Sequence, residues 1–204
     1  LWTKSFELNG QNPYKIRDVK VTNGGQVLIN GYYYKGEDLL NPFLLAFDPA
    51  TKKTKLHTIQ SDEKTAHVGY RLTLLRDNTP LIAGLYAQKK DVGYKVFKLN
   101  SADLEMQEVI SRPFEQPYGK MIFEGAYRPE FFSVKEIIET KNKTIVIDIE
   151  GGATQSGSHV SQSYTSPVYL SAITVDGKQH WHTILQKYQV QPLGSDLLGH
   201  SIFS

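Results

Sequence analysis

Short runs in which apolar and polar residues alternate fill this chain, and Asn, Asp, Gly or Pro break them at brief intervals. A β-strand sends successive side chains to opposite faces, so alternation of period two predicts half-buried strands. IRDVKV, QVLINGYYY and PFLLAFD near the start are examples. No window sustains the i, i+3, i+4, i+7 apolar spacing of an amphipathic helix, and β-branched residues crowd the runs.

The pattern recurs. Three segments align, about 16–59, 70–110 and 132–185, and each reads as four short strands. The first contains IRDVKVTNGG, QVLINGYYY, PFLLAFDPATK and KLHTI; the second YRLTLLRDN, TPLIAGLYA, GYKVFKLNSAD and LEMQEVI; the third FSVKEIIETKN, KTIVIDIEGG, VYLSAITVDGK and QHWHTIL. Polar turns join the first two strands of each unit: Asn23-Gly24-Gly25, Arg76-Asp77-Asn78 and Lys141-Asn142-Lys143. Asn, Asp and Gly tolerate the positive φ that tight hairpins require. A second set, Asp48-Pro49-Ala50, Asn100-Ser101-Ala102 and Asp176-Gly177-Lys178, joins the last two. The second-to-third connection is short in the first two units; in the third, Gly152 to Ser166 reads as a long Ser-rich loop.

Trp2, Leu56, Met106 and Trp181 mark equivalent places in the fourth strands. A period of about 50 residues with four strands each matches propeller blades. The expected fold is all-β: a propeller-like array of four-stranded antiparallel blades. Residues 1–6 match a fourth strand without its predecessors, and 196–203 a first strand without its successors. The expectation is three complete blades with partial blades at both ends, cut from a longer chain, the remaining blades coming from that chain or a neighbour.

The order of a Gly-Gly turn, V-L-I-x-G-Y-Y, a loop, L-x-x-F-D and an apolar last strand resembles the long-period propeller repeats of exported Bacteroidetes proteins. The third unit is closest, with Asp176-Gly177 leading to Trp181, then Ile184, Lys187 and Gln189. The second departs, with Asn100-Ser101 for Asp-Gly and Met106 for Trp. The resemblance implies a propeller-like fold and a secreted or envelope location, and carries no catalytic residues with it.

Charge adds little. Lys and Arg number 23 against 21 Asp and Glu, so no concentrated basic face points to nucleic acid. Twelve Tyr and nine Phe suit pleated surfaces. There is no Cys, which excludes disulfides and thiolate chemistry. No apolar run approaches the ~20 residues that span a bilayer. The sequence opens on Leu1-Trp2 without an initiating Met or a signal-peptide pattern, and the expectation is a fragment of a longer, exported precursor.

Each candidate for chemistry has a plainer reading. His180 and His182 flank Trp181, and alternation puts both on one face with Trp181 turned to the core. Two imidazoles without a third ligand make a poor metal site, so no metal or other cofactor is expected. Tyr32 and Tyr34 end a second strand, either as a stacking platform or as covers of the sheet edge. Asp48, Asp77 and Asp176 read as turn caps. Asp148 and Glu150 share one face of an otherwise apolar strand and are the best carboxylate pair, although strands with one wet face carry such residues routinely. Pro113 to Phe132 holds Phe114, Tyr118, Phe123, Tyr127, Phe131 and Phe132, and either covers a sheet face or lines a groove. Tyr32, Tyr34, Tyr118, Tyr127, Asp148 and Glu150 are therefore the candidate ligand residues. The leading expectation is a non-enzymatic module binding glycan, peptide or protein. The rival is a propeller-type glycosidase or lyase, for which Asp148, Glu150 and Glu124 would have to converge. No catalytic motif decides whether the chain is an enzyme. Circular dichroism is expected to show a β-dominated spectrum; substantial helical ellipticity would defeat the fold assignment.

Overall fold

The computed structural model describes residues 14–35, 39–62, 64–88, 91–116, 118–119, 132–156, 161–165, 167–186 and 190–192. The remnants expected at 1–6 and 196–203 lie outside these residues. Tight turns set the register. Thr22 N–H donates to Gln26 O, Leu75 N–H to Thr79 O and Thr140 N–H to Thr144 O, each at 2.8 to 2.9 Å. In all three turns the fourth residue has positive φ: Gly25, Asn78 and Lys143. In the first and third the leading Thr hydroxyl also accepts the closing N–H, from Gln26 at 3.0 Å and Thr144 at 3.1 Å. The aligned turns of the sequence thus form one turn built three times.

From these turns come three antiparallel sheets. In the first, β1 (Tyr14–Val21), β2 (Val27–Lys35), β3 (Leu39–Asp48) and β4 (Lys53–Thr58) pair in chain order. In the second, β5 (Thr65–Leu74), β6 (Pro80–Gln88), β7 (Asp91–Leu99) and β8 (Met106–Pro113) do the same. The third has β9 (Phe132–Glu139) beside β10 (Ile145–Ser156), whose far half pairs with β11 (Ser161–Thr165). The near half of β10 pairs with β12 (Val168–Ile173), and β12 with β13 (Gln179–Leu185). A short strand, β14 (Val190–Pro192), adds to β11.

Alternation now decides what packs on what. Leu28, Leu44 and Ala46 of the first sheet meet Tyr70, Leu72, Ile82, Phe97 and Leu99 of the second. The opposite face of the second sheet, with Leu81, Ala83, Leu85, Tyr94 and Val96, meets Ile145, Ile147, Ile149 and Tyr169 of the third. Each buried side chain of this size contributes about 1.5–3 kcal/mol by leaving water. Polar ties repeat the stacking. Asn23 N–H donates to Asn78 Oδ1 at 3.0 Å, and Gln26 Nε2 to Ser101 O at 2.7 Å, between the first and second sheets. Arg76, in the second sheet's first turn, bonds Glu139 of the third.

The structure corrects four details of the sequence reading. Gly152 to Ser166 is not all loop: Gly152 pairs with Thr165 and Ser156 with Ser161, so β10 runs on into a hairpin. Gly151 keeps β10 continuous there, because a Cβ would meet the Phe132 ring at 2.7 Å. Second, β5 starts at Thr65, not Tyr70, where Asp62 Oδ1 accepts the N–H groups of Lys64 and Thr65 at 2.8 and 2.6 Å. Third, Met106 is not the counterpart of Leu56. Leu56 pairs with Leu45, whereas Met106 pairs with Leu99 nearer its turn, and the exposed Glu108 stands opposite Phe97. Fourth, Trp181 is not a core residue; it is 47% exposed. The register shifts between Ala172 and Ile173, leaving His180 bulged, and the two histidines lose their common face. His182 instead stacks on Tyr169 at 5.7 Å and 14°, and its Nε2 lies 3.3 Å from Glu115 Oε2.

One contact within the second sheet fixes the Tyr70 ring. The Tyr70 ring lies over Gly84, where an added Cβ would sit 2.2 Å from ring carbons. Gly84→Ala is expected to lower stability by about 1–3 kcal/mol through overpacking, with an unchanged slope in urea denaturation. An undiminished midpoint would contradict this packing.

Candidate functional site

The first strand of each sheet carries a β-bulge. In β1 the pairs Ile16–Gly31 and Asp18–Asn30 leave Arg17 extra. In β5 the pairs Val68–Leu85 and Arg71–Ala83 place Gly69 and Tyr70 against Gly84 alone. In β9 the pairs Val134–Ile149 and Glu136–Asp148 leave Lys135 extra. A bulge bends its strand and re-aims the side chains beside it. Gly69, at φ +67°, allows the β5 bulge to touch the backbone of Phe132 and Ser133. The three bulged strands lie side by side, and their polar groups interlock.

Asp18 is the hub. Its Oδ2 accepts Asn30 Nδ2 at 3.0 Å and Leu72 N–H, across the sheet boundary, at 3.0 Å. Asn30 Nδ2 also donates to Tyr70 O at 3.1 Å. Asp18 Oδ1 faces Arg71 Nε at 3.9 Å, an ion pair longer than a hydrogen bond. Arg17 reaches further: its Nη2 donates to Val134 O of the third sheet at 3.1 Å. Burial holds the Arg17 guanidinium below its ordinary range; the Asp18 charge opposes this, Arg71 adds to it, and the nearby Tyr32 hydroxyl opposes it weakly. The arrangement offers guanidinium donors beside an aromatic hydroxyl, which suits polar or anionic groups.

Beneath this cluster runs a buried chain of hydrogen bonds. Asn41 Oδ1 accepts Ser61 N–H at 2.6 Å, and Ser61 Oγ accepts His67 N–H at 3.0 Å. His67 Nδ1 lies 3.2 Å from the Tyr70 hydroxyl. His67 is 6% exposed, and burial first, then the Lys95 charge, pushes its pKa down to about 4. Burial pushes the Tyr70 phenol far above its ordinary range. His67 is therefore neutral at pH 7 and serves packing.

The residues singled out from sequence do not form one site. Tyr32 shares a face of β2 with Asn30 and lies within electrostatic reach of Arg17, so it belongs to the cluster. Tyr34 is in β2, paired with Leu40. Tyr118 is wholly buried, edge-on to Phe114 at 5.1 Å, and its hydroxyl donates to Pro167 O at 3.3 Å. It belongs to the core between the second and third sheets. Asp148 and Glu150 lie on the β10 face turned away from the second sheet and are 0% and 2% exposed. Tyr127 and Glu124 lie outside the described residues. The turn carboxylates act as caps: Asp48 accepts Thr51 Oγ1 at 2.8 Å and Ala50 N–H at 2.9 Å, and Asp77 accepts Thr79 N–H at 3.0 Å. The Thr51 hydroxyl holds Asp48 below the usual carboxylate range. Among the described residues, no group of three His, Cys, Asp or Glu side chains is placed to hold a metal ion.

Arg17, Asp18, Asn30 and Arg71 were not among the sequence candidates. One signal was available. Asn30, like Asp148, is a polar residue inside an apolar strand, and the turn alignment puts the two at the same place in their sheets, with Ala83 between. Asp18 and Glu136 stand opposite them.

No protein-family model, curated protein or solved structure matches the chain. Two outcomes are expected from the geometry alone. Asp18→Ala strips Leu72 N–H of its acceptor and Asn30 of one of two, and is expected to cost about 2–3 kcal/mol in urea denaturation; Asp18→Asn, which keeps an oxygen, costs less. Second, an unfolded histidine titrates at 6.5 and His67 at about 4. Above pH 6.5 both states are neutral and the contribution is fully present. As pH falls from 6.5 to about 4 the unfolded chain takes the proton first, so stability drops, on the order of 2 kcal/mol after allowance for solvent screening. His67→Phe is expected to flatten that part of the stability–pH curve; an identical curve would remove His67 as its cause.

Proposed function

We propose that this protein is a non-enzymatic binding module, with the three sheets as consecutive blades of a propeller-like array in an exported bacterial protein. The observation that supports the reading is the side-by-side placement of β1, β5 and β9, with Arg17 of the first sheet reaching Val134 of the third. In a propeller, four-stranded sheets stand around a common channel, and neighbouring first strands are what such an array requires. The repeated turn with its positive-φ fourth residue supports equivalence of the units. Bulged strands presenting polar side chains where sheets meet are a usual way for a rigid β scaffold to offer a binding surface. The ligand classes that fit are glycan, peptide or protein, bound through groups at the bulged strands and the loops around them.

A combined array of glycans and peptides probed with the intact protein tests the reading. Saturable binding with no release of reducing ends from bound glycans is the expected result. Release of reducing ends would transfer the protein to the carbohydrate-active enzymes. Binding to nothing on the array would remove the module reading.

A further inference from the structure

The bulges of β1 and β5 bring two arginines near one carboxylate. Arg71 faces the Asp18 carboxylate and Arg17 lies within its electrostatic reach, while Asp18 Oδ2 is already occupied by Asn30 Nδ2 and Leu72 N–H. Its Oδ1 stands 3.9 Å from Arg71 Nε, beyond a direct hydrogen bond. A guanidinium carries five N–H donors in a planar fork. Arg17 uses one of them, on a neutral backbone carbonyl. Arg71 makes no hydrogen bond through its side chain among the described residues, and that side chain is 40% exposed.

This pattern is unusual for a purely structural pair. A partly buried cation costs free energy unless a hydrogen-bonded anion compensates it. Here the carboxylate that could compensate Arg17 is committed to fixing β5, and Arg71 adds a second positive charge. Among the described residues, no acceptor is bonded to the remaining N–H donors of either arginine, and Tyr32 lies within electrostatic reach of Arg17. An oxyanion supplies the missing acceptors: two oxygens in a plane match the guanidinium fork, and a charge of −1 offsets the excess. The bulge at Arg17 is what permits this, because a regular strand would pair that residue like its neighbours.

We propose that Arg17 and Arg71, with Tyr32 beside them, form a site for an oxyanion, a carboxylate or sulfate group borne by the ligand. The proposal rests on the binding-module reading and names the chemistry of that ligand. Arg71 supplies an exposed arm that the ligand meets first; Arg17 supplies a fixed one, held by Val134 O.

Isothermal titration of the intact protein at low ionic strength, with sodium glucuronate, sodium sulfate and glucose in separate runs, tests it. Saturable binding of glucuronate or of sulfate, with none of glucose, is expected. Glucuronate alone identifies a carboxylate on a sugar; sulfate alone identifies a sulfate group. Arg71→Ala is expected to weaken binding at least ~10-fold at unchanged melting temperature, and Arg71→Lys to restore only part, since a point charge replaces a fork. No saturation with either anion, or equal affinity in Arg71→Ala, overturns the proposal. The two readings fail separately. Neutral glycans bound on the array, with no effect of Arg71→Ala, would leave a binding module without this site. An array with no ligand at all would remove both.

Discussion

The capture of the β5 bulge by Asp18 and Asn30 is the interaction on which the arrangement of the sheets depends. A bulge frees backbone groups from the ladder, and a buried free N–H or C=O costs about as much as a lost hydrogen bond. Here Leu72 N–H goes to Asp18 and Tyr70 O to Asn30, both on the neighbouring sheet. The two sheets are therefore joined by polar bonds that cannot slide, unlike apolar contacts. Tyr70 is then fixed from three sides: its carbonyl by Asn30, its ring over Gly84, its hydroxyl beside His67. Held this way, Tyr70 packs with Leu28, Leu44 and Ala46 in the core between the first and second sheets.

The second and third sheets are joined differently. Ala83 stands where Asn30 does and can hold nothing, so the contact is mainly apolar. Besides the Arg76–Glu139 tie at the turns, its polar element is at the far strands, where the Tyr94 hydroxyl and Ser171 Oγ lie 2.7 Å apart and Gln179 Nε2 donates to Ser171. A ring cluster of Tyr94, Phe114, Tyr118 and Tyr169 fills the space beside it. One repeat thus yields two unlike interfaces, the first held by Asp18 and Asn30, the second filled with aromatic rings. The polar version leaves arginines at the bulges; the aromatic version absorbs Tyr118, which might otherwise have lined a groove.

Much of this was legible in the chain. The three turns are local, so Asn23-Gly24-Gly25, Arg76-Asp77-Asn78 and Lys141-Asn142-Lys143 announce themselves by residue type, and the strands between them follow from alternation. The bulges were not legible. A bulge shifts the register by one residue without altering composition, so His180 and His182 were assigned one face and Trp181 the core. The β10–β11 hairpin was hidden for another reason: the Ser-rich composition after Gly152 read as a loop, whereas Gly151 is small to admit Phe132, which is distant in sequence, and the strand runs on.

The candidate site divides in the same way. Tyr32 and the anomaly of a polar residue within an apolar strand could be read directly, and that anomaly drew attention to Asp148 as much as it should have to Asn30. Arg17, Asp18 and Arg71 looked like ordinary charges on half-exposed strands. By itself the sequence determined the all-β class, the three four-stranded units and their turns, because these rest on period-two patterning and backbone conformations set within a few residues. Only the tertiary structure decided which charges meet. Arg17 and Val134 are 117 residues apart, and Asp18 and Leu72 are 54. Contacts at such separation depend on how whole sheets pack, and no local pattern encodes them.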